Sequence, residues 1–108
     1  MNSLERNTDK FTSLPPVFQQ AISSFDYDGR LHRVAVKHKL HIDQLVGLER
    51  AMSGIVFGDL HAEHLSSELA RDLHLDSAHA TEIAFDLNSE ILAPLKAHIK
   101  QTHDNSLE

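Results

Sequence analysis

Nine of the 108 residues are histidine, and no other residue type here is as able to bind metals or move protons near neutral pH. They are His32, His38, His41, His61, His64, His74, His79, His98 and His103. The closest spacing, His61-Ala62-Glu63-His64, sets two imidazoles about one helical turn apart. Structural zinc is typically four-coordinate, and catalytic zinc needs nearly as many ligands. There is no HExxH, and Asp76-x-x-His79 only partly matches the ExxH pairs of di-iron bundles. The expectation is scattered, solvated histidines with no metal site and no cofactor. Protonating all nine adds nine charges to the formal −6 and gives +3, so a pH response needs no dedicated site.

Three further polar residues stand where a helical wheel expects apolar ones: Glu49, Asn88 and His98. Each is expected to be buried and to need a partner. For Glu49 a pair with an arginine of the preceding helix would serve structure and a raised pKa would serve catalysis, and the structural role is the one expected. No companion acid, nucleophile or phosphate loop accompanies them. GxGxxG, Walker and GxSxG patterns are absent, and the chain has no Cys. That removes disulfides, thiolate metal sites and cysteine nucleophiles. The sequence therefore points away from an enzyme.

The segment LARDLHLDSAHATEIAFDL resembles the helix-turn-helix of DNA-binding regulators. Ala70 takes the small-residue position, His74 the turn position usually given to Gly, and Ala80 and Ile83 the buried positions of the second helix. The resemblance implies a nucleic-acid-binding regulator. Charge opposes it, because the second helix would offer His79, Glu82 and Asp86 to phosphates. Nucleic acid is thus an unfavoured partner.

The elements that must position these residues are all helical. Pro15 and Pro16 suit a first helical turn, and Val17, Phe18, Ala21, Ile22 and Phe25 follow at helical spacing. Asp26 or Asp28 can cap a second helix lined by Leu31, Val34, Ala35 and His38. A third runs from Ile42 to Phe57 and ends at Gly58. It is apolar nearly all round, which means burial by its own domain or by a partner. Its small-residue side, Gly47, Ala51 and Gly54, would admit a second helix closely and is the candidate interface. A fourth helix spans about 61–74. A fifth, capped by Asp76 or Ser77, carries Ala80, Ile83, Leu87, Ile91 and Leu95. Pro94 should kink or split it near Asn88–Glu90.

Charge is segregated. Residues 28–40 hold Arg30, Arg33, Lys37 and Lys39 against Asp28, while residues 59–90 hold eight acids against Arg71. Attraction within the molecule is the simpler reading, and attraction to a partner the sharper one.

The run LERAMSGIVFGDLHAEHLSSELARDLHLD, followed by EIAFDLNSEILAPLKAHI, resembles short uncharacterised helical proteins of ultrasmall candidate-phylum bacteria. Ile83, Asn88, Leu92 and Pro94 echo their C-terminal pattern. The resemblance implies a bacterial helical domain and no activity.

The fold expected is all-α, a compact four- or five-helix bundle with a central apolar helix. The expected layout is a disordered arm at 1–13, a single helical domain at 14–103 and a disordered tail at 104–108. With no apolar leader and no run near ~18 apolar residues, the reading is a cytoplasmic protein without a membrane segment. Its expected role is a non-enzymatic module that docks on another protein or forms a homodimer.

Overall fold

The computed structural model describes residues 3–106, apart from the side chains of 105 and 106. The chain is all-α, with no strand among the described residues. Its helices are α1 (Thr8–Thr12), α2 (Pro16–Ser23), α3 (Tyr27–Lys37), α4 (Ile42–Val56), α5 (Leu65–Asp72), α6 (Ser77–Leu87) and α7 (Ala93–Ser106). A 3₁₀ turn, Ala62–His64, leads into α5, and a π-helical turn, Asn88–Leu92, joins α6 to α7. None of these helices is long and apolar enough to cross a membrane.

The elements start and stop for local reasons. Pro16 occupies the first position of α2, where the missing N–H costs nothing. The Asp26 carboxylate caps α3 by accepting from the Gly29 N–H, and Asp76 caps α6 by accepting from the His79 N–H at 2.7 Å. Gly58, at φ +83°, follows the end of α4, the left-handed conformation that glycine adopts freely. Pro94 accounts for the π turn. It has no N–H for the Glu90 carbonyl four residues back, and the ladder shifts so that Ala93 N–H reaches Asn88 O. The freed Glu90 carbonyl accepts instead from Arg30 Nη1 at 2.9 Å, which ties the kink to α3.

One core runs through the molecule. Ile22, Leu31, Leu48, Met52, Leu69, Ile83, Leu87 and Ile91 are almost wholly buried. Helix α2 lies along α7, α5 along α6, and α4 against α5. More segments form than the four or five helices expected, because the expected fifth helix divides at Pro94 and an extra short helix forms near the N-terminus.

The expected disordered arm is corrected over residues 3–13. Leu4 is only 1% exposed and belongs to the core. The Asp28 carboxylate accepts from Ser3 N–H and from Ser3 Oγ at 2.7 Å, and Lys10 pairs with Asp59. One leucine in a polar, aperiodic stretch joins a core otherwise supplied by later helices, so no local pattern announces it. The expected tail is likewise corrected over 104–106, where α7 continues. Residues 1–2 and 107–108 lie outside the described residues.

Candidate interaction surface and the polar junction

Helix α4 is not enclosed all round. Gly47, Leu48, Ala51 and Met52 are buried, whereas Ile42 is 79% and Val46 50% exposed. Ile42 and Val46 stand one turn apart, roughly 120° around the helix from the small residues. The interface expected at Gly47, Ala51 and Gly54 is therefore corrected. That side is occupied by the protein's own chain. A Cβ on Gly47 would meet Leu73 Cδ1 at 2.8 Å, and one on Gly54 would meet Leu60 Cβ at 3.2 Å. Close approach is the reason for the glycines, as expected, but the approaching group is the α5 end and the segment before it. Gln44 fastens the same contact. Its Oε1 accepts from His41 N–H at 2.9 Å, and its Nε2 donates to the Leu73 carbonyl at 3.1 Å.

The flank carrying Ile42 and Val46 continues toward Glu49 and Ser53, where residues of the N-terminal segment share a shallow groove with it. Val46 lines that groove and stays half exposed, and Ile42 lies outside it. On either side of Val46 stand Asp43 and Arg50, both exposed. Neither has an ion-pair partner among the described residues.

The three polar residues expected to be buried fare differently. Asn88 is exposed in the π turn, a correction that follows from the kink, which rotates its position off the apolar arc. His98 is half-buried and sits between α7 and the end of α2, with its Nε2 2.7 Å from Ser24 Oγ and its ring beside Phe25. Glu49 is half-buried, and no arginine bridges it among the described residues. Its neighbour is instead Tyr27, whose hydroxyl is buried without a partner. Burial pushes that phenol well above its ordinary range, and the Asp28 and Glu49 carboxylates add to the shift.

One polar cluster was not foreseen from the sequence. His38, at the end of α3, places Nε2 2.6 Å from Asp86 Oδ2 and Nδ1 3.3 Å from His79 Nε2. Lys37 Nζ lies 3.0 Å from the same Asp86 oxygen. The His38 and Asp86 side chains are 8% and 13% exposed. Burial pushes the Asp86 carboxyl upward, but hydrogen bonds from His38 and Lys37, with their charges, outweigh it and hold it below its ordinary value. An ionised carboxylate only accepts, so His38 carries its proton on Nε2, and the contact to His79 takes one proton between two nitrogens. Both His38 nitrogens are thus engaged within the cluster. Thr81, the nearby hydroxyl, donates to the Ser77 carbonyl. The arrangement works as a polar latch between α3 and α6. Residue types gave no clue to it, because the partners are 41 and 48 residues apart.

The basic and acidic segments meet inside the molecule. Lys37 pairs with Asp86, and Arg33, Asp86 and Glu90 share one surface cleft. His61 and His64 are exposed with their rings edge-on. No group of three or more His, Asp or Glu side chains suited to a metal ion occurs among the described residues.

The helix-turn-helix segment forms α5, a tight turn and α6. His74 adopts φ +55°, the left-handed turn conformation usually given to Gly. Among the outward positions of α6 are Ser77, Ala78, Thr81, Glu82 and Phe85. They present an acid and an aromatic ring, while His79 and Asp86, which the charge argument also set outward, turn toward His38.

No family model, curated protein or solved structure matches the chain.

Proposed function

We propose that this protein is a non-enzymatic helical module that self-associates through the uncovered flank of α4. The observation that carries the reading is the exposure of Ile42 and Val46, at 79% and 50%. Exposed aliphatic side chains scattered singly are ordinary, but adjacent ones on a helix otherwise used for packing favour an interface. A second copy is the occupant the charges fit. With the two-fold axis perpendicular to the helices and close to Val46, two α4 helices run antiparallel and every contact is made twice. Asp43 of one copy then faces Arg50 of the other, twice over. Both are free to pair.

Ser24 Oγ lies 2.7 Å from His98 Nε2, but it also lies within hydrogen-bond distance of the Gln20 and Ala21 carbonyls, and no acid pairs with that imidazole among the described residues, which favours a non-enzymatic reading. It places the module in the cytoplasm, which the Cys-free composition fits. The resemblance to small bacterial helical proteins agrees with a helical domain and assigns no activity.

Charge exchange tests the geometry. Arg50→Asp sets two acids against each other and should weaken self-association at low salt several-fold. Adding Asp43→Arg should restore it. Sedimentation equilibrium reads both. Failure of the double variant to recover the wild-type association constant would rule out antiparallel pairing about Val46.

A further inference from the structure

An apolar cleft of about 280 Å³ opens between α2, the end of α4 and the start of α7. Ile22 and Leu95 are among its buried floor residues, Val56 is on one wall, and Phe18 stands at the mouth. Lys96 is the one charged residue that lines it.

The charge around the cleft runs against the rest of the protein. The whole chain is acidic, at −6. Yet residues 13–25, which supply α2, hold no charged side chain, and neither do residues 51–58 at the end of α4. Residues 91–103 hold Lys96 and Lys100 and no carboxylate. Lys96 has no ion-pair partner among the described residues. An apolar body with a single cation at its edge is the usual form of a site for a ligand that is apolar along its length and anionic at one end.

We infer that this cleft binds a single-chain carboxylate amphiphile, with the hydrocarbon lying over Ile22, Val56 and Leu95 and the carboxylate at Lys96 Nζ. The affinity comes from the chain, and each methylene removed from water tightens binding roughly fourfold. Lys96 selects the head group and contributes a few-fold, as exposed ion pairs do. The site is separate from the α4 flank and does not depend on self-association.

The test is titration of the isotope-labelled full chain with decanoate, below the concentration at which it forms micelles, followed by amide chemical shifts. Saturable changes should centre on Ile22, Val56 and Leu95. Octanoate should bind more weakly by the fourfold step per methylene, and decanol a few-fold more weakly than decanoate. Lys96→Gln, at an exposed position, should keep the fold and abolish the difference between decanoate and decanol. Three results would overturn the inference: no saturable change, changes centred on Ile42 and Val46, or wild-type protein that binds decanol as well as decanoate.

Discussion

The two sides of α4 differ in a way their residue types do not advertise. One side is built of Gly47, Ala51 and Gly54, the other of Ile42 and Val46. By hydrophobicity alone the larger aliphatic residues should be inside, and the small ones should be available to a partner. The structure has the reverse. The glycines admit Leu73 and Leu60 of the same chain, and the isoleucine and valine face outward. Small residues here give the chain room to pack on itself. Large residues left outside give another surface something to bury.

The largest expected effect comes from attacking the packed side. Ala51 is 4% exposed, and Ala51→Glu would bury a carboxylate with no partner built for it. The expected loss is on the order of 4 kcal/mol or more, a large part of the ~5–15 kcal/mol by which a domain is folded. Urea unfolding followed by circular dichroism checks this. A variant with wild-type stability would show that α5 does not cover this side.

Next comes the N-terminal segment, which closes the far part of the exposed flank. Leu4→Ala removes a core side chain and should cost about 2–5 kcal/mol. If residues 3–13 do not pack in solution, the variant would unfold at the same urea concentration as the wild type.

The latch between α3 and α6 gives a smaller effect, away from both sides of α4. Asp86→Asn should lose about 1–3 kcal/mol near neutral pH. The sign of the pH dependence follows from the lowered Asp86 pKa. A carboxyl held below its unfolded value of about 3.9 adds stability above that pH. That stability disappears as the pH falls through the lower folded value. The variant should therefore lose less stability than the wild type as the pH falls from about 4 toward 2. Parallel curves for the two proteins would remove Asp86 from the acid response.

Much of the fold was legible because its signals are local. Pro16, Asp26, Gly58, Asp76 and Pro94 mark helix boundaries through their own backbone chemistry, and the structure places a start, stop or kink at each. What could not be read depends on distant partners. Leu4 is an isolated apolar residue until later helices supply the core it joins and Asp28 holds the neighbouring Ser3. His38 reads as an inward-facing residue of its helix and Asp86 as one member of a solvated acidic stripe. Only the packing of α3 on α6 joins them. The pattern Gly47, Ala51, Gly54 does state that something comes close. It carries no information about whether that neighbour belongs to the same molecule.

The smallest expected change in stability carries the most direct test of function. Val46→Glu lies on the exposed flank and should alter the stability of the monomer by no more than about 0.5 kcal/mol. Sedimentation equilibrium of wild type and variant across micromolar concentrations decides the matter. The expected result is a wild-type mass that rises toward twice the monomer with concentration, and a Val46→Glu protein that stays monomeric with an unchanged circular dichroism spectrum. A wild-type protein that remains monomeric at every concentration, or a dimer that Val46→Glu leaves intact, would contradict self-association through α4.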